Sequence, residues 1–191
     1  EEVILPESEA AHLSRVLRLH QGDKVEALDG KGGIFPSQCL EVNRSMVRIR
    51  ILEHFIKKPQ VPSIRLAVAV GKGNKWEELI RPLTELGACR LTPLLTQRTE
   101  LSMTVAKFSE KKERWQKIAR DACKQSGNPW LPKLDDPVSF NDALSQTQGD
   151  DCWIGSLCDE RIKLSPKPSN RTVSIFIGPE GGWTEEEEEN A

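Results

Sequence analysis

The sequence predicts an α/β protein of two domains, a small β-barrel followed by a parallel sheet with helices on its faces. Three observations carry that prediction. Residues 1–58 break into short β-rich runs joined by tight turns, with one short helix among them. From Ser63 onward, apolar β-branched runs alternate with helical patterns, and such alternation builds a parallel sheet. Near the end, an apolar run at 172–177 meets Gly178-Pro179-Glu180-Gly181-Gly182 and then a helix start. That order of strand, loop and helix is how α/β sheets place a ligand at the carboxyl edge of their strands. The 191 residues suffice for one small and one medium domain.

Residues 8–19 read as a helix, with Ser8 as N-cap and Leu13, Val16 and Leu17 spaced as one apolar face. The period then shortens to two. Val25 and Leu28 sit in a short strand, residues 29–33 make a hairpin turn, and 34–42 form a second strand whose Pro36 predicts an edge or a bulge. In 46–52, Val47, Ile49 and Ile51 point one way and Arg48 and Arg50 the other. Residues 57–62 read as a linker stiffened by Pro59 and Pro62. Beyond it, 64–70 is a buried parallel strand and 75–86 a helix stopped by Gly87. Pro82 inside that helix predicts a kink or a restart. Residues 90–95 form a strand, and 105–126 the longest helix, with Trp115, Ile118, Ala119 and Ala122 on one face. Ser139 caps a short helix through Leu144, and 152–158 and 172–177 are the last strands, with Trp153 on a core face.

Composition narrows the classes. A net charge of −2 does not advertise nucleic-acid binding, which usually shows a basic excess. Five scattered cysteines without a Cys-x-x-Cys pair predict no structural metal and a reducing, cytoplasmic setting. No stretch approaches the ~20 apolar residues of a membrane span. Gly71-Lys72-Gly73 lacks the full phosphate-loop pattern.

The glycine loop carries the chemistry. Its three glycines permit positive φ and a close backbone approach to a ligand. Thr184 and Glu187 make a capping box, and Glu185 to Glu189 are five consecutive carboxylates. They suit the positive end of the helix dipole but repel a phosphate. A phosphate-free, cationic ligand fits better, which argues against a phosphate-nucleotide enzyme on a Rossmann-like sheet. Arg15 and Arg18 lie three apart on one face of the predicted helix, where two guanidiniums can bind RNA phosphates or stack on splayed bases. A solvated face with local ion pairs is the alternative. Lys31 at the hairpin tip, Arg48 and Arg50, and Arg98 are similar candidates.

Four ordered blocks resemble one family. They are His12-Leu13-Ser14-Arg15-Val16-Leu17-Arg18-Leu19 with Gly22-Asp23 and Asp29-Gly30-Lys31-Gly32; Lys75-Trp76-Glu77 through Thr84-Glu85-Leu86-Gly87, with Pro93-Leu94 and Gln97-Arg98; Arg114-Trp115 through Ala122-Cys123-Lys124-Gln125-Ser126-Gly127, with Pro132; and the glycine loop. The chain thereby resembles the SPOUT class of RNA methyltransferases, and more narrowly the RsmE-type enzymes, which methylate N3 of a uridine in small-subunit ribosomal RNA. Asn128 departs from the family's arginine, and Pro82 from its ordinary helix former.

The resemblance implies a PUA-like RNA-binding β-barrel over 1–58 and a SPOUT methyltransferase domain over 63–191. That domain ends in a trefoil knot that is incomplete here. The family continues with a strand, a Leu-Gly-x-Arg-x-Leu-Arg-type loop and a last helix, so the sequence is expected to be trimmed at both ends. S-adenosylmethionine is the implied cofactor, held by Gly178, Pro179, Glu180, Gly181 and Gly182, with Ser156, Leu157 and Cys158 at the neighbouring strand end. Arg15, Arg18, Lys31 and Arg98 are the implied RNA contacts, and Arg15 the candidate catalytic group. The implied partners are small-subunit ribosomal RNA in an assembled subunit and a second copy of the chain, with no metal or membrane. An RNA-binding module without methyltransferase activity is the alternative.

Overall fold

The computed structural model describes residues 1–15, 17–43, 45–71, 75–99, 105–156 and 172–191. The chain divides into two compact units, Glu1–Lys58 and Pro59–Ala191.

The first unit contains β1 (Glu2–Ile4), α1 (Glu7–Arg15), β2 (Lys24–Leu28), β3 (Gly33–Val42), β4 (Val47–Ile51) and β5 (Phe55–Ile56). Its antiparallel sheet runs β1-β4-β3-β2, with β5 beside β3. β1 and β2 are the outer strands, and among the described residues no ladder joins them into a closed barrel. Ala10, Cys39, Val47 and Ile49 form the core, with Leu13, Leu19 and Val25 packed on it. Three local expectations fail, the first being the Ser8 cap: α1 begins at Glu7, so Ser8 lies inside the helix. The helix stops at Arg15 rather than at 19. Leu19 packs on the core, its N–H donates to the Leu13 carbonyl (3.0 Å), and Arg18 takes a φ of 50°. A left-handed residue of this kind ends a helix, so Arg15 and Arg18 do not share a helical face. Pro36 lies in an inner strand, and the bulge falls between Cys39 and Glu41. The Pro36 carbonyl accepts the Leu52 N–H just past the end of β4, where no ladder bond needs the donor proline lacks.

The second unit contains β6 (Ser63–Ala69), α2 (Lys75–Glu85), β7 (Arg90–Leu95), α3 (Val105–Ser126), β8 (Lys133–Leu134), β9 (Val138–Ser139), α4 (Phe140–Ser145), β10 (Asp151–Gly155), β11 (Thr172–Ile177) and α5 (Glu185–Glu189). The parallel sheet runs β10-β11-β6-β7-β8, with β9 also on β7. β6 is apolar on both faces because both are covered. Leu66 and Val68 meet Trp76, Ile80, Trp115 and Ala119 of α2 and α3, while Ala67 and Ala69 meet Phe140, Phe176 and Trp183. α2 runs unbroken through Pro82, contrary to the predicted kink or restart. Proline costs it only the bond to the Glu78 carbonyl, and both residues face water. Gly87 (φ 90°) and Gly127 (φ 65°) follow α2 and α3, and the Ser139 hydroxyl caps α4 by accepting the Asp142 N–H. Trp153 is only half-buried.

Candidate functional site

β11 delivers the glycine loop to the carboxyl edge of the sheet, between β10 and β6. Each glycine has a different reason. A Cβ at Gly178 would lie 2.8 Å from the Trp183 ring, so only glycine lets the indole close on the strand end. Gly182 alone of the three takes a positive φ (72°), closing a turn in which its N–H donates to the Pro179 carbonyl (2.9 Å). A Cβ at Gly181 would make an ordinary 3.6 Å contact with Arg98. Trp183 is 5% exposed, and its Nε1–H donates to the Gly155 carbonyl at the end of β10 (2.8 Å).

The loop is clamped from β7. Arg98 Nη1 donates to the carbonyls of Gly181 (2.9 Å) and Trp183 (2.8 Å). The Gln97 backbone N–H donates to Glu187 Oε1 (3.0 Å), and the Gln97 side-chain amide to Glu186 Oε2 (3.0 Å). Glu187, 5% exposed, also closes the predicted capping box: its Oε2 accepts the Thr184 N–H (3.0 Å), and the Thr184 hydroxyl accepts the Glu187 N–H (3.2 Å). Lys75, at the start of α2, pairs with Glu180, and the Ser156 hydroxyl donates to Glu188. Three of the five consecutive carboxylates are therefore engaged side to side with the sheet.

These elements enclose a cavity of roughly 330 Å³ lined by Arg98, Gly155, Ile177, Gly178, Pro179, Gly181, Gly182, Trp183 and Glu188. The volume falls within the range of small-ligand pockets. Its lining joins loop backbone with Ile177, Pro179 and Trp183, and includes two charged residues, Arg98 and Glu188. Ser156 and Glu180 brace the walls rather than line them, while Leu157 and Cys158 lie outside the described residues. A smaller cavity of about 30 Å³ at the amino edge of the sheet has room for little more than a water.

The candidate cations separate into groups. Arg98 is occupied by the loop carbonyls. Arg48 pairs with Glu2 and Glu41, and Arg50 with Glu2, which is the local ion-pair reading of that strand face. Arg15, Arg18 and Lys31 are exposed in the first unit; the Asp29 carboxylate holds the Lys31 and Gly33 amides beneath the hairpin tip (2.7 and 2.8 Å). Among the described residues no group of three or more His, Cys, Asp or Glu could hold a metal, and no helix is long and apolar enough to cross a membrane. Sequence reasoning missed the Arg98 clamp and the Trp183 and Gln97 bonds. The adjacency of Gln97 and Arg98 was visible; their partners 83 to 90 residues away were not.

Residues 57–191 match the model of an RNA methyltransferase domain, and residues 5–52 that of an RNA methyltransferase PUA domain. The chain belongs to this RNA methyltransferase family. The matched PUA segment falls within Glu1–Lys58, and the methyltransferase segment spans all of Pro59–Ala191. Among relatives, the ribosomal RNA small subunit methyltransferase E of Synechocystis is 38% identical, over 97% of this chain and 61% of its own length. The enzyme of the same name from Bacillus subtilis is 29% identical, over 95% and 75%. The chain thus spans about three-fifths of the Synechocystis relative. Among solved structures, that of the Neisseria gonorrhoeae methyltransferase E bound to S-adenosylmethionine superposes with a TM-score of 0.87 at 27% identity, covering 100% of this chain and 79% of that one. A putative methyltransferase from Legionella pneumophila, in complex with the same cofactor, gives 0.83 at 27% identity, with coverage of 100% and 79%.

Proposed function

We propose that this methyltransferase-family chain uses S-adenosylmethionine to methylate N3 of a uridine in small-subunit ribosomal RNA. The observation that carries the reading is the clamped glycine loop, whose cavity is lined by loop backbone, the Trp183 indole and the Glu188 side chain, with its one guanidinium, Arg98, turned onto the loop carbonyls. That donor set fits a cofactor with no phosphate and a positive sulfur. The cavity lies near the lower end of the range for such ligands. Family relatives bound to this cofactor support the same choice.

When bound, the cofactor would supply an activated methyl group, passing it to uracil N3 and leaving as a neutral thioether, while the N3 proton would go to solvent. The chain's own part is alignment. The loop amides and carbonyls, fixed by Arg98 and Trp183, hold the donor in one pose, and orientation of this kind removes much of the entropic barrier. Glu188 in the lining would favour the positive sulfur. On this reading the first unit is a PUA-like RNA-binding module, with Arg15, Arg18 and Lys31 as its cations. We assign the uracil anion, which an adjacent arginine would stabilise, to Arg15. The carboxyl-terminal trefoil knot, the homodimer and an assembled-subunit substrate belong to the same proposal.

Calorimetric titration of S-adenosylhomocysteine and of ATP into separate samples tests it. Micromolar binding of the first and none of the second is expected, followed by transfer of labelled methyl to small-subunit RNA. Binding of ATP alone overturns the reading. Binding of RNA with neither ligand leaves an RNA-binding module in its place.

A further inference from the structure

Two cations from different elements hold the glycine loop. Arg98, just past β7, takes the carbonyls of Gly181 and Trp183. Lys75, the first residue of α2, takes the Glu180 carboxylate. The end of β6 is shaped for the second contact. The Val70 N–H still donates to the Leu94 carbonyl (3.1 Å), so the chain stays beside β7 for one residue past the strand, and Gly71 follows. A Cβ at Gly71 would lie 3.1 Å from Lys75 Cδ and 3.3 Å from Glu180 Oε1, tighter than an ordinary contact. Bare backbone at that point lets the ion pair close over the strand end.

Glu180 is thereby directed away from the cavity. Pro179, Gly181 and Gly182 on either side of it are lining residues, and Glu180 is not. A carboxylate at the centre of such a loop could face a cationic ligand or orient the backbone, and this geometry selects the second role. It also bears on the Arg98 clamp, which bonds to the carbonyl of the next residue, Gly181. A guanidinium binds a carboxylate more strongly than a neutral carbonyl. Without Lys75, the Glu180 carboxylate would compete for Arg98 and draw it off the loop. With Lys75 in place, each cation has its own acceptor, and the Glu188 side chain is the carboxylate left in the lining.

We propose that Lys75 is a positioning residue of the cofactor site: it holds Glu180 over the end of β6, so that Glu180 orients the loop and does not meet the ligand. The inference rests on the reading that this loop binds S-adenosylmethionine, and assigns the two residues roles within it.

The test is calorimetry of S-adenosylhomocysteine with the whole chain and its variants, beside hydrogen exchange of residues 178–184 without ligand. Both partners are exposed, and an exposed pair contributes little. Lys75→Ala should therefore weaken binding only about threefold, whereas Lys75→Glu and Glu180→Lys turn attraction into repulsion and should each weaken it about tenfold. Most of the loss in Lys75→Glu should disappear in about 1 M salt. The exchanged pair, Lys75→Glu with Glu180→Lys, should return to within about threefold of the unsubstituted chain and restore slow exchange of the loop. Glu180→Gln should weaken S-adenosylmethionine and S-adenosylhomocysteine by the same factor, because the carboxylate does not meet the sulfur. Unchanged affinity in Lys75→Glu overturns the proposal. So does an exchanged pair as weak as the single reversals, or a Glu180→Gln loss that is larger for the positively charged cofactor. Binding of neither cofactor form by the unsubstituted chain sinks the methyltransferase reading, and loop exchange then decides the ion pair alone. Exchange that is faster in Lys75→Glu and slow again in the exchanged pair supports the positioning role; exchange indifferent to the pair overturns it.

Discussion

Replacing Arg98 with alanine should loosen the glycine loop without unfolding the sheet. One guanidinium nitrogen donates to two loop carbonyls, at 2.9 Å to Gly181 and 2.8 Å to Trp183. Hydrogen bonds to a charged group contribute roughly 1.5–3 kcal/mol each when shielded, and the contact with Gly181 is open to water. Discounting for solvent leaves about 2 kcal/mol holding the loop in its closed geometry. If the open loop does not bind, affinity falls with the population of the closed form, and 2 kcal/mol corresponds to a loss of at most about 30-fold. Arg98→Lys should recover part of that, since a single ammonium lacks the rigid fork of a guanidinium. Calorimetry with S-adenosylhomocysteine reads the effect, and RNA anisotropy on the same samples should stay within about twofold, because the clamping nitrogen is committed to the loop. Unchanged cofactor affinity with weakened RNA binding would refute this reasoning and return Arg98 to the role of RNA contact.

The other substitutions follow the same geometry. Gly178→Ala drives a Cβ to 2.8 Å from the Trp183 ring, so the indole must leave its bond to Gly155; cofactor binding should weaken more than tenfold, and urea unfolding should show a loss of about 2 kcal/mol. Gly181→Ala places its Cβ in an ordinary contact and should bind and unfold nearly as the unsubstituted chain does. Asp135 tests the amino edge of the sheet: burial pushes its pKa up, but hydrogen bonds from Arg90 and Thr92 outweigh burial and hold it below the usual value. Its stabilisation is complete above the unfolded pKa of about 3.9 and is lost as pH falls through the lower folded value, so Asp135→Asn should flatten the loss of stability measured by urea titrations between about pH 4 and pH 2.

What was legible in the chain was local. The two-residue period of Val47 to Ile51, the Ser139 cap and the Thr184–Glu187 capping box depend on residues within a few positions of each other, and all stand as expected. Where a distant contact competes with a local pattern, the pattern lost. The apolar spacing of 8–19 favours a longer helix, but Leu19 gains more by packing on the core, and the chain reverses at Arg18. The carboxylate run is the instructive case. As sequence it is an electrostatic feature, a field that repels phosphate and suits a helix start. In the fold, Glu186 and Glu187 hold Gln97 and Glu188 holds Ser156, so the same charges latch α5 to the ends of β7 and β10. The two roles reinforce one another. A carboxylate that accepts a donor from the strand end is held nearer one position than a free side chain. Of the run, Glu188 lines the cavity, while Glu186 and Glu187 act through Gln97. A charge fixed before a ligand arrives acts without having to reorganise, and that is what the proposed site would use to favour a positive sulfur.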